Sequence, residues 1–318
     1  MRNSAIALYM LSALPAGAES FSLQPPLACD LQNDCFIQQY VDHDPASSFS
    51  DFTCGPLSYD GHKGTDFALP SLERMAEGVD VLAAATGTVV AIRDGVSDVI
   101  FSGSGDVDGR ECGNGVLLRH PGGWETQYCH MKEGSVIVAK GQSVEAGAVL
   151  GEVGLSGKTQ FPHLHLSVRK NGQVIDPFAP EGAPTCGTAP SQTLWATPLP
   201  YEAGGLIDLG FATGIPEFSD MKAGTAALPE VTPDAPALVL WAYAYGSQSG
   251  DKLLLAISGP DGTWFENEVT LEKGQAEFFR AGGKKIRAPL PAGEWTGSAS
   301  LLRNGTLLET RSVSITVR

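Results

Sequence analysis

Short runs of alternating apolar and polar residues, separated by glycine, proline or Asn-Gly, dominate the chain. They predict strands rather than helices. In the first part these runs cover residues 87–92, 116–120, 125–130, 149–153 and 163–168. In the second they cover 238–245, 252–258, 264–271, 295–303 and 307–317. Pro260-Asp261-Gly262 and Asn304-Gly305 supply turn chemistry between neighbouring runs. The one moderately helical stretch, 69–77, is short. The pattern predicts an all-β protein whose second part is a small Ig-like β-sandwich.

Proline marks the division. Six prolines fall between Pro177 and Pro200, and such a run sustains neither a helix nor a central strand. The chain is read as a unit over 19–180, a linker over 181–200 and an accessory unit over 201–318. Residues 1–18 carry Arg2, an apolar stretch and Ala16-Gly17-Ala18, the layout of a secretory signal peptide; the alternative is the first element of the fold. No cysteine follows the expected cleavage point, which argues against a lipid anchor. Export, to a periplasmic or extracellular location, implies an oxidising compartment in which six cysteines pair.

Composition narrows the function. Of 318 residues, 42% are hydrophobic, too many for a disordered chain, and no apolar run is long enough for a transmembrane segment. The net charge of −15 argues against nucleic acid as a partner. Residues 19–200 hold 22 acidic and 10 basic side chains, net −12, against 14 and 10 in 201–318. All six histidines and all six cysteines precede residue 187, so the chemistry is expected in the first unit.

On a strand, His163, His165 and Ser167 share one face while Leu164, Leu166 and Val168 point to the core. Upstream, His62-Lys63-Gly64-Thr65-Asp66 places an imidazole and a carboxylate four positions apart, on a bent strand or loop because Gly61 and Gly64 disfavour helix. Two histidines and a carboxylate are the donor types of an open zinc site. A hairpin with arms 112–120 and 124–130 turns at Pro121-Gly122-Gly123. Its alternation puts Tyr128 and His130 on one face and sets Cys112 opposite Cys129. Proximity then pairs Cys29 with Cys35 and leaves Cys54 for Cys186, one of fifteen pairings open to six cysteines.

Gly61-His62-Lys63-Gly64-Thr65-Asp66, Tyr128-Cys129-His130 and Pro162-His163-Leu164-His165 together resemble the lysostaphin-type (LytM-like) zinc metallopeptidases. The resemblance spans roughly residues 40–180 and takes in the central hairpin and the glycine-punctuated run before residue 162. It implies an antiparallel β-sheet peptidase domain holding one zinc ion per chain on His62, Asp66 and His165, with His130 and His163 acting on the substrate. Phe161 stands where similar sequences usually have glycine, and Ser167 where glutamate is common. The implied activity is hydrolysis of peptide bonds in peptidoglycan, with a glycine-rich peptide as the competing substrate. A non-catalytic wall-binding or partner-activating protein, using 201–318 as a protein-binding surface, is the alternative function.

Three features are given plainer readings. Asp106-Val107-Asp108-Gly109 resembles the start of a calcium loop without its remaining ligands and is read as a turn. Asp42-His43-Asp44 is read as a surface turn, the alternative being an inhibitory ligand. His120, at the end of a hairpin arm, is read as structural.

Overall fold

The alternating runs become antiparallel strands gathered around two separate apolar cores. This computed structural model describes residues 21–31, 33–103, 107, 109–182 and 185–318. The expected signal segment 1–18 lies outside the described residues, as do Asp106 and Asp108.

The first unit contains β1 (Phe36–Gln39), β2 (Thr65–Ala68), α1 (Leu72–Glu77), β3 (Asp80–Leu82), β4 (Gly87–Arg93), β5 (Asn114–Arg119), β6 (Trp124–Met131), β7 (Ser143–Val144), β8 (Val149–Glu152), β9 (His163–Lys170) and β10 (Gln173–Val174). The main sheet runs β1-β2-β9-β6-β5-β4-β7, with β10 beside β9. The small β3–β8 pair stands apart from it. Helix α1 begins later than the pattern suggested. Leu69 precedes Pro70, which biases it away from helix, and the Ser71 hydroxyl accepts the Arg74 N–H as the cap.

Period-two alternation sorts the sheet's two faces. Phe67, Tyr128, Leu164, Leu166 and Val168 enter the core. The opposite face carries Gln127, Cys129, His165 and Ser167 along one cavity wall. Register then does the assembly: Asp66 on β2 lies opposite His165 on β9, which lies opposite Cys129 on β6. Three neighbouring strands thus present their chemistry in one row, and a slip of one residue would turn it into the core.

The second unit holds β11 (Gly205–Ala212), α2 (Phe218–Ala223), β12 (Glu230–Val231), β13 (Ala237–Ser247), β14 (Lys252–Gly259), β15 (Gly262–Thr270), β16 (Gln275–Lys285), β17 (Gly293–Arg303) and β18 (Thr306–Val317). A sheet of order β11-β13-β16 packs on one of order β12-β18-β17-β14-β15. Leu240 and Phe278 from the first meet Ile257, Trp295 and Leu301 from the second. The β-sandwich expected from the sequence is present.

The units touch directly. Phe36 and Ala68 of the first sheet share an apolar cluster with Ile207, Met221, Trp241, Tyr243 and Tyr245, with partly buried Phe161 and Phe218 against it. The rings of Phe36 and Tyr245 lie 4.5 Å apart. Lys222 on α2 donates to the Gln160 carbonyl at 3.1 Å. The proline-rich stretch lies against the first core, where Trp195 is buried and residues 194–196 exchange backbone hydrogen bonds with Leu23.

Disulfides join Cys29 to Cys35, Cys54 to Cys186 and Cys112 to Cys129, the pairings expected from the sequence. The longest spans 132 residues and ties the beginning of the first unit to its end.

Candidate active site

His62 enters from the loop before β2, Asp66 from β2 and His165 from β9. The His62 Nδ1–H donates to the Tyr40 carbonyl at 2.7 Å. Its Nε2 therefore points inward, 3.2 Å from Asp66 Oδ1 and 3.1 Å from His165 Nδ1. His165 is fixed from behind, where Nε2 lies 3.1 Å from the Ser167 hydroxyl, which itself donates to the Lys63 carbonyl at 2.7 Å. Ser167 is thus an acceptor for His165 Nε2–H, and His165 Nδ1 presents a lone pair 2.7 Å from Asp66 Oδ1. Gly64 permits this approach, because a Cβ there would lie 2.6 Å from His165 Nε2.

Three acceptor atoms converging within 3.2 Å are stable only with positive charge among them. Tetrahedral zinc with ligands at about 2.0–2.1 Å separates them by about 3.3 Å. Among the described residues this His62, Asp66 and His165 group is the cluster able to hold a metal ion, and its donor chemistry fits zinc. Electrostatics agrees. Burial opposes a charged His62, but the Asp66 carboxylate outweighs it and raises the imidazole above its ordinary value. Burial alone would raise Asp66; attraction to His62, His163 and His165 wins and holds it well below the usual carboxylate range.

The two further histidines flank this cluster. His130 and His163 have ring centroids 4.7 Å apart, and His163 Nε2 is 3.6 Å from Asp66 Oδ1. Each ring is held by its Nδ1: His130 donates to the Ser156 carbonyl at 2.8 Å, His163 to the Phe161 carbonyl at 3.0 Å. Both Nε2 atoms are thereby left as bases. Burial pushes His130 well below the ordinary imidazole value, with His163 and His165 adding to the effect. Burial also lowers His163, against the pull of Asp66. Phe161 stacks on the His163 ring at 4.3 Å, and Tyr59 stacks on His62 at the same distance.

One expectation is corrected. Tyr128 and His130 do not share a face: Tyr128 is in the core, where its hydroxyl accepts the Ala84 N–H, while His130 lines the cavity beside Cys129. Simple alternation fails because β6 spends one more residue than β5 between the pairs Val116–Tyr128 and Asn114–Met131. His130 absorbs that bulge at φ 62°, a region costly for a residue with a Cβ. The Cys112–Cys129 disulfide and the His130 N–H donated to the Cys112 carbonyl at 2.8 Å hold it there. Gly113, at φ 61°, lets the Ser156 segment approach, since a Cβ there would lie 2.3 Å from the Ser156 carbonyl oxygen.

The other candidates separate from this site. His120 is buried between the Thr86 carbonyl and the Thr126 hydroxyl, in the structural position expected. Asp42 accepts backbone N–H groups of Asp44, Ser50 and Gly61, so it buttresses the loop that carries His62. His43 pairs with Asp176 at 2.7 Å. The sequence reading missed Tyr40, Tyr59, Ser156 and Thr159, whose hydroxyl lies 3.1 Å from His163 Nδ1; Tyr40 and Ser156 act through carbonyls, which leave no residue-type signal.

Residues 60–177 match the model of Peptidase family M23. That match lies within the first unit and takes in His62, Asp66, His130, His163 and His165. The resemblance carried by the three motifs is therefore borne out. This M23 unit is 38% identical over 106 residues to the DD-carboxypeptidase/endopeptidase Mpg of Neisseria meningitidis, covering 33% of this chain and 23% of that protein. It is 30% identical over 115 residues to the peptidoglycan DD-endopeptidase ShyA of Vibrio cholerae, covering 36% and 22%. The chain thus spans about a quarter or less of the length of these curated relatives. Among solved structures, the catalytic domain of the prophage-encoded M23 protein EnpA from Enterococcus faecalis is 27% identical, with a TM-score of 0.30, covering 43% of this chain and 95% of that one.

Proposed function

We propose that the chain is an exported, zinc-dependent endopeptidase that hydrolyses peptide bonds of peptidoglycan, built as a peptidase unit over 19–180 and an accessory sandwich over 201–318. The observation that carries this reading is the convergence of His62 Nε2, Asp66 Oδ1 and His165 Nδ1, with the imidazoles of His130 and His163 alongside. These three residues hold the metal. Zinc supplies Lewis acidity there, making water a stronger acid and a peptide carbonyl a better electrophile.

The chain's own groups do the rest. His130 and His163 present unprotonated Nε2 atoms, so either can take the proton of an attacking water and return it to the leaving amine. The imidazole that takes the proton carries it as an Nε2–H that can hydrogen-bond the developing oxyanion before passing it to the leaving amine. Their tautomers are fixed by carbonyl acceptors, so no reorientation is needed during the reaction.

The test is metal content together with digestion of purified peptidoglycan, with and without a chelator. Release of peptide fragments that the chelator blocks is the expected result; intact sacculi after incubation with zinc-loaded protein would overturn the reading. His130→Ala and His163→Ala are expected to keep stoichiometric zinc and lose about 10²–10⁴-fold in kcat. His165→Ala is expected to lose the metal itself. Retention of full zinc by that variant would remove His165 from the ligand set.

A further inference from the structure

We propose that the cavity in front of His165 is a carboxylate-recognition site, in which Arg169, Lys158 and Lys63 select peptides bearing a free carboxylate beside the scissile bond. The inference deepens the hydrolytic reading above and rests on it.

The charge distribution points this way. The first part of the chain is strongly acidic, yet the cavity of about 570 Å³ at the histidine cluster is lined by three cations and one carboxylate, Glu111. Some cations elsewhere are paired, Lys132 with Glu152, Lys222 with Glu277 and Arg303 with Asp251, and those without an ion pair, such as Lys140 and Lys273, lie outside this cavity. None of Lys63, Lys158 and Arg169 makes an ion pair or a side-chain hydrogen bond with a described residue. Three cations around one cleft, without an ion-pair partner among the described residues, repel one another, a cost that an anionic ligand group lowers.

Position specifies the contact. Arg169 follows His165 and Ser167 at period two on β9, so it stands on the same face, half-buried, where a guanidinium binds a carboxylate in bidentate fashion. Ser167 adds no charge between them, and its hydroxyl is already engaged by His165 and the Lys63 carbonyl. The cavity on the other side of the His62 loop shares Lys63 but is otherwise of opposite character, lined by Asp42, Asp44, Asp60, Asp176 and Glu181. A polyanion threading both cavities would be repelled at one end. A peptide with one localised carboxylate, neutral or cationic beyond it, matches the pair.

The experiment uses the full, zinc-loaded chain and cross-linked peptide dimers released from peptidoglycan by a muramidase. One portion keeps its free carboxylates and the other has them converted to primary amides. The native chain is expected to cleave the free form with kcat/KM about tenfold or more higher, chiefly through KM. Arg169→Gln is expected to erase most of that preference with zinc content unchanged, and Arg169→Lys to restore part of it. Equal cleavage of the two dimers by the native chain, or an undiminished preference in Arg169→Gln, would overturn the carboxylate assignment and leave the hydrolase standing. Cleavage of neither dimer would remove the hydrolytic reading and this one with it.

Discussion

The M23 unit and the sandwich are both antiparallel β structure, but they reach stability by different routes. Most strands of the sandwich run eight to twelve residues and close over an uninterrupted apolar core that includes Trp295, Leu240 and Leu301. It has no cysteine and no histidine. The M23 unit has several strands of two to four residues, buries His62, Asp66, His130 and His163, and carries all three disulfides. Polar groups placed for chemistry displace apolar contacts. Covalent ties offset that loss, whereas regular strands need none.

That contrast can be broken most forcefully at the longest tie. Cys54→Ser with Cys186→Ser opens a loop of 132 residues and is expected to cost about 4–5 kcal/mol. Hydrogen exchange followed by mass spectrometry should place the lost protection in residues 21–200 and spare β13 to β18. Loss spread evenly over both units would mean that the two cores open together. The reciprocal change is Trp295→Ala, which empties the centre of the sandwich and should cost about 3–5 kcal/mol in urea unfolding. Metal analysis of that variant is expected to find the same zinc content as in the native chain.

The border between the units yields a smaller effect. Phe161 stacks on His163 and packs against the cluster shared with Phe218 and Trp241. Phe161→Ala is expected to lower kcat severalfold, from a stacking contact worth about 1 kcal/mol, with zinc content unchanged. A kcat equal to that of the native chain would show that the sandwich has no hold on the His163 ring. The mildest lever is pH. His120, His130 and His163 all have their proton affinity lowered by burial, so below about pH 6.5 the unfolded chain binds protons that the folded chain refuses. Stability of the metal-stripped chain should therefore fall as pH drops through that range, with His62, shifted the opposite way, offsetting part of the loss. Thermal melts between neutral and mildly acid pH measure it. A rising melting temperature would contradict the sign.

What could be read in advance divides along the same border. The His-x-His strand, the His62–Asp66 spacing and the disulfide pairs were legible because each depends on local periodicity or on counting. Tyr128 and His130 were misplaced because one extra residue in β6 and a left-handed backbone at His130 break that periodicity. Strand β16 escaped the pattern because Gly282-Gly283, near its C-terminal end, reads as a turn. The carbonyls of Tyr40 and Ser156, which fix His62 and His130, lie 22 and 26 residues from the rings they orient. Backbone acceptors at that distance have no signature in a single sequence.

The bulge at His130 carries one more implication. Its strained backbone is held on one side by Cys129, bonded to Cys112, and on the other by the carbonyl of Ser156. Oxidation of Cys112 and Cys129 therefore adds a covalent restraint at the residue next to that imidazole, beside the hydrogen bonds that already orient it.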